Sequence, residues 1–177
     1  MLASLVGGSR VHAQAPDGEA QIKAAYVYNF LKFVEWPAES FEHSNDPLVV
    51  GIVGDGPMAD ATERLLTMQQ VGDRPVVVRH VKWDKPLAGV HAVVVTETDV
   101  KKLRRVLEAA SLGHILSIGE GAAFASTGGV IGLVIEGRKV RFDIDLDVAN
   151  TTGLKVSSKL LALTRVVHSD KLKGDRP

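Results

Sequence analysis

At 177 residues the chain is long enough for one domain of ordinary size and too short for two comfortable ones. A composition of 45% hydrophobic and 24% charged residues excludes disordered, collagen-like and low-complexity classes. Lys+Arg (21) balances Asp+Glu (21), so beyond local basic patches there is no long-range field to attract nucleic acid, and the absence of cysteine removes disulfides, thiolate catalysis and Cys-ligated metals together.

The chain opens on a short apolar run, Leu2 to Gly8, followed by Ala13-Gln14-Ala15, whose small residues stand where a signal peptidase reads. The expectation is a truncated signal peptide over residues 1–15, lacking its basic start, and an exported chain beginning near Pro16. No other apolar stretch approaches the roughly 20 residues of a membrane span, so no membrane insertion is expected.

From residue 18 to Trp36 the pattern predicts a helix, stopped by Pro37, which cannot continue one. Asn29, Lys32 and Glu35 form a narrow polar stripe, and the rest of the circumference is apolar. Tyr26, Tyr28, Phe30, Phe33, Trp36 and Phe41 concentrate six of the nine aromatic residues here. Two readings stand: a core helix packed on several sides, or one shared with a second subunit or partner.

Leu48 to Val53 reads as a strand, Gly54-Asp55-Gly56-Pro57 as a turn, and Met58, Ala61, Leu65 and Met68 as the face of a second helix. Further strands are expected at Val76–Val81, Ala92–Val95 and Ile115–Ile118, with a helix through Val100, Leu103, Val106, Leu107 and Ala110 that stops at Gly113. Apolar strands separated by amphipathic helices indicate a parallel sheet covered on both faces. Val130–Ile135, the turn Glu136-Gly137-Arg138, and the alternation of Val140, Phe142, Ile144 and Leu146 with Arg141, Asp143 and Asp145 predict an antiparallel hairpin. Ser157 is expected to cap a last helix carrying Leu160, Leu163 and Val167 on one face and Arg165 and His168 in its final turn. The fold class is therefore a three-layer α/β domain over residues 16–170, with a mainly parallel sheet flanked by helices, the hairpin at or near its edge, and a flexible tail at 171–177.

Residues with chemical potential mostly have plainer roles. Gly54-x-Gly56-x-x-Ala59 stands where a dinucleotide fingerprint would, but Pro57 removes an N–H that a phosphate needs and no acidic residue closes the second strand, so turn geometry is the better account. His12, His43, His80, His91, His114 and His168 show no metal-ligand spacing, and no G-x-S-x-G is present. Asp143 and Asp145 read as a solvated strand face with Arg141 as counterion, and Ser157-Ser158 as a cap. Nothing in the sequence argues for catalysis, a cofactor or a metal.

Four stretches together resemble the YfiR family of periplasmic repressors of membrane-bound diguanylate cyclases: Ala24 through Pro37, Gly72 through Arg79, Gly128 through Val134, and Val140 through Ile144 continued by Ala149 through Leu161. The resemblance covers about residues 20 to 167. It implies an exported, non-enzymatic α/β protein that forms a homodimer and binds the periplasmic sensing domain of the cyclase, lowering cyclic di-GMP and biofilm formation. Family members under redox control carry cysteines, so thiol switching is excluded here. The resemblance also suggests a small-molecule pocket with Lys155 and Ser157 at its lip. Together with the apolar surplus it makes Tyr26, Tyr28, Phe30, Phe33 and Trp36 the candidate interface. The alternative is a small-ligand or nucleotide-binding α/β domain, with or without catalysis, built on the Gly54 turn.

Overall fold

A computed structural model of the chain describes residues 16–121 and 123–167. The expected leader at 1–15, His168 and the tail at 171–177 lie outside the described residues. In chain order the elements are α1 (Pro16–Phe33), β1 (Val34–Glu35), a single 3-10 turn (Ala38–Ser40), β2 (Leu48–Val53), α2 (Pro57–Leu66), β3 (Gln70–Val71), β4 (Arg74–His80), β5 (Ala92–Val95) and α3 (Val100–Ser111). There follow β6 (Leu116–Glu120), α4 (Ala123–Ser126), β7 (Ile131–Glu136), β8 (Lys139–Asp145), α5 (Leu146–Thr151), β9 (Lys155–Val156), α6 (Ser158–Leu161) and β10 (Arg165–Val167).

Eight strands form one sheet in the order β10-β8-β7-β6-β5-β2-β4-β3. The five from β4 to β7 run parallel, β8 returns antiparallel as the hairpin partner of β7, and the short β3 lies antiparallel on β4. Alternation sorts the side chains between two layers of helix. Leu48, Val50, Ile52, Ala92, Val94, Leu116 and Ile118 point to α1 and α2, whereas Val53, Val93 and Val95 meet Val106, Leu107 and Ala110 of α3 and Phe124 of α4. The expected three-layer arrangement is therefore present.

Helix boundaries follow local chemistry. Asp99 caps α3 by accepting from the N–H groups of Lys101 and Lys102 at 2.9 and 3.0 Å. Pro57 occupies the first turn of α2, where a missing N–H costs nothing. A Cβ on Gly54 (φ +100°) would stand 2.6 Å from Thr96 Oγ1 and 2.8 Å from Glu97 N, so glycine is required to let the β5–α3 loop close on this turn. On the other face, Cβ atoms on Gly119 and Gly129 would stand 2.2 and 2.1 Å from the ring of Phe124, which lies between them and fixes α4 to the sheet.

Several expectations need correction. α1 ends at Phe33 rather than Trp36, because Val34 and Glu35 extend to pair with Val156 and Lys155 of β9, a distant partner invisible in a local pattern. Met68 lies beyond α2 with φ +72° and is 93% exposed, so it belongs to no helix face. Asp143 and Asp145 are buried, not a solvated face: α4 packs across β7 and β8, and Asp145 Oδ1 accepts the Val148 N–H at 3.0 Å to cap α5, whose first residue is Leu146. The last helix is a single turn, capped by Ser157 as expected, and the chain then enters β10 beside β8. Leu163 is exposed and Arg165 and Val167 are strand residues, so the hairpin lies one strand in from the edge.

Candidate interaction surface

The buried stripe of α1, Ala20, Ala24, Val27, Phe30, Leu31 and then Val34, has the spacing of an ordinary amphipathic helix. Phe30 is fully buried and stacks edge-on to Phe142 of β8 with centroids 4.9 Å apart; Tyr26 completes the cluster at 5.9 Å from Phe30 and 5.6 Å from Phe142. Phe30 thus belongs to the chain's own core and leaves no surface for a partner, a correction to its place in the expected interface. Tyr26, Tyr28, Phe33 and Trp36 remain half-exposed while packing on that core.

Polar tips orient the aromatics. The Tyr28 hydroxyl donates to the Gln70 carbonyl at 3.0 Å, and Lys32 Nζ lies 4.4 Å from the centre of the Tyr28 ring. Trp36 Nε1–H donates to the His91 carbonyl at 2.8 Å, which pins the indole across the start of β5. At the other end of α1, Lys23 is buried and paired with Glu19 at 2.6 Å and with Glu120. Burial pushes its pKa down, but the hydrogen bonds to Glu120 and Glu19 outweigh this and hold the ammonium above its ordinary value.

Beside Trp36 the segment 38–46 and the β3–β4 turn enclose a groove of about 600 Å³ floored by Leu31, Val34, Trp36, Phe41, Leu48 and Val71 and rimmed by Lys32, His43 and Arg74. Its wall is a three-layer stack. The Arg74 guanidinium lies 3.6 Å from the Phe41 ring centre, and Phe41 lies parallel to His91 with centroids 4.3 Å apart. Arg74 Nη1 also donates to the carbonyls of His43 (3.1 Å) and Asp46 (2.7 Å). Asp46 accepts the His43 N–H at 2.7 Å, which together with the nearby charges of His43 and Arg74 lowers its carboxyl pKa. His91 accepts the Val49 N–H at Nδ1 (3.0 Å) and faces the Ser40 carbonyl with Nε2 (2.9 Å), an arrangement that suits the neutral Nε2–H tautomer. Burial, the largest influence, depresses the His91 pKa, and Arg74 and Arg79 act in the same direction against the bond to Ser40.

A second cavity, of about 250 Å³, opens between α3 and α5 over Leu107 and Val148, with Arg104, Glu108, Asp147 and Thr151 at its mouth. Lys155 lies on β9, exposed, and Ser157 accepts the Lys159 N–H as the cap of α6; neither borders the groove or this cavity. Phe41, Arg74 and His91 were not singled out as a site by sequence reasoning, because the three positions lie on separate elements. The sequence shows Phe41 within the aromatic concentration and Arg74 within the stretch Gly72 through Arg79, but no local pattern joins them to His91. Among the described residues, no group of three or more His, Cys, Asp or Glu side chains could hold a metal ion, and no helix is long and apolar enough to cross a membrane.

The profile of a family described as YfiR/HmsC-like matches residues 20–165. The chain belongs to the YfiR/HmsC-like family. That membership points to a periplasmic regulator of diguanylate cyclase signalling, in a family that is regulatory rather than catalytic. A comparison with curated proteins returned no match.

Proposed function

We propose that this YfiR/HmsC-like chain is an exported, non-enzymatic repressor that binds the periplasmic sensing domain of an inner-membrane diguanylate cyclase and so lowers cyclic di-GMP and biofilm formation. Residues 1–15 belong to its signal peptide, and the domain of residues 16–170 acts as a homodimer. The family match across residues 20–165 carries this reading. The contact is assigned to the end of α1, where Phe33 and Trp36 stand half-exposed beside an apolar groove. Buried aromatic anchors of this kind dominate protein interfaces. Release would follow any event that favours the unbound state, since a ligand shifts such an equilibrium only by its differential affinity for the two states.

The test is co-purification of the full chain with the periplasmic domain of a membrane diguanylate cyclase encoded beside it, with the Phe33→Glu variant in parallel. Capture of the cyclase domain by the native chain, loss of at least about tenfold in affinity for the variant, and an unchanged cooperative unfolding transition are expected. A cyclase domain that ignores the native chain, or a purified chain that turns over a substrate, would overturn the proposal.

A further inference from the structure

The opposite side of the molecule has a different character. α3 buries Val106, Leu107 and Ala110 and turns Lys101, Arg104 and Arg105 to solvent. The loop before β5 runs along the same helix: Trp83 lies under two of its cations, 5.8 Å from Lys102 Nζ and 5.5 Å from the Arg105 guanidinium, and carries exposed Lys82 and Lys85 on either side. Lys102 is paired with Glu97 at 3.2 Å, but among the described residues Lys82, Lys85, Lys101 and Arg104 have no carboxylate within salt-bridge distance. With Glu97 and Asp99, which are engaged by Lys102 and the helix N-terminus, the acids Asp84 and Glu108 make four against the six cations Lys82, Lys85, Lys101, Lys102, Arg104 and Arg105.

The acid that suits the dipole of α3 is its N-cap Asp99, and the first turn then carries Lys101 and Lys102. Val100, 61% exposed, and Leu112, 88% exposed, stand at the two ends of the same helix, so apolar tips flank the cations. That combination suits a bilayer interface, where acyl chains take the apolar tips and headgroups take the charge. A nucleic acid would offer nothing to Val100 and Leu112.

We propose that the α3 face, flanked by Trp83, docks reversibly on anionic phospholipid headgroups. It rests on the reading of the chain as a partner of a membrane protein, for which docking would confine the search to the membrane plane. Clustered Lys and Arg side chains bind anionic leaflets in proportion to their number, and the attraction is screened by salt.

The experiment is co-sedimentation of the purified full chain with vesicles of phosphatidylglycerol and phosphatidylethanolamine, against vesicles of phosphatidylcholine. Expected are binding to the anionic vesicles alone at low salt, its loss at high salt, and a blue shift of tryptophan emission that is absent in Trp83→Phe. The double variant Lys101→Glu/Arg105→Glu should lose at least about tenfold in partitioning. Glu at position 101 suits the helix dipole, so its unfolding midpoint should hold or rise and misfolding would not account for the loss. Equal binding to neutral vesicles, no binding at low salt, or undiminished binding of the variant would overturn the proposal. Retention on heparin without vesicle binding would also overturn it and assign the patch to an acidic macromolecule. The vesicles contain no cyclase, so a negative result leaves that contact standing, while failure to capture the cyclase domain with vesicle binding intact strikes the cyclase reading alone.

Discussion

The two faces of the central sheet are covered by helices that obey different rules. α1 carries aromatic side chains around much of its circumference, and its excess over the core stripe ends half-exposed beside a groove. α3 buries Val106, Leu107 and Ala110 and leaves Lys101, Arg104, Arg105 and Glu108 to solvent, with Val100 and Leu112 exposed at its ends. A helix whose polar stripe is too narrow for solvent has more than its own sheet to satisfy. A helix that buries a narrow apolar stripe satisfies its sheet with that stripe, and what else it does falls to the cations and the exposed apolar tips on its outer face.

Three measurements would sharpen or break that contrast, taken from the largest effect to the smallest. Phe30→Ala empties the centre of the α1 face between Tyr26 and Phe142, and should cost about 3–5 kcal/mol in urea unfolding. A loss below about 1 kcal/mol would mean that α1 is seated weakly and that its aromatics serve assembly more than the core. Gly129→Ala on the other face drives a methyl group into the Phe124 ring, and should cost about 1–3 kcal/mol by overpacking. Adding Phe124→Ala to it should bring a further loss smaller than that of Phe124→Ala alone, since the two sites share one contact.

The third measurement concerns pH. The folded pKa of His91 lies below its ordinary value of 6.5, so in the interval between the two the unfolded chain binds the extra proton. The contribution of His91 is therefore complete above the ordinary value and declines as pH falls through it toward the folded value. Urea midpoints between pH 7.5 and about 5 should decrease, and His91→Gln should flatten the slope while lowering the plateau, because the stack of Arg74 and Phe41 loses its base. An unaltered slope in the variant would place the acid sensitivity elsewhere.

The parallel strands and their helices were legible in the sequence because each is apolar over its full length or repeats at helical spacing. β2 and β5 match their expected bounds, since uninterrupted β-branched runs leave no other period to adopt. What escaped depends on contacts across the fold. Val34 and Glu35 read as helix until Lys155 and Val156 arrive to pair with them, and a two-residue strand has no period of its own. Asp143 and Asp145 alternate correctly, but alternation tells which side a residue takes and not whether a helix covers that side. Of the candidate interface, the apolar surplus could be seen in advance and its division could not: Phe30 faces Phe142, and Trp36 is held by the backbone of His91.

The seating of α1 has a temporal consequence. It is the first described element to leave the ribosome, yet Tyr26 meets Val140 114 residues further along the chain, and Val34 waits for Val156 beyond that. Until those strands exist, Tyr26 and Phe30 lack the Phe142 ring that covers them, and exposed aromatic side chains of this kind promote aggregation unless a chaperone shields them. Truncation anywhere before β8 should therefore yield insoluble material instead of a smaller folded unit.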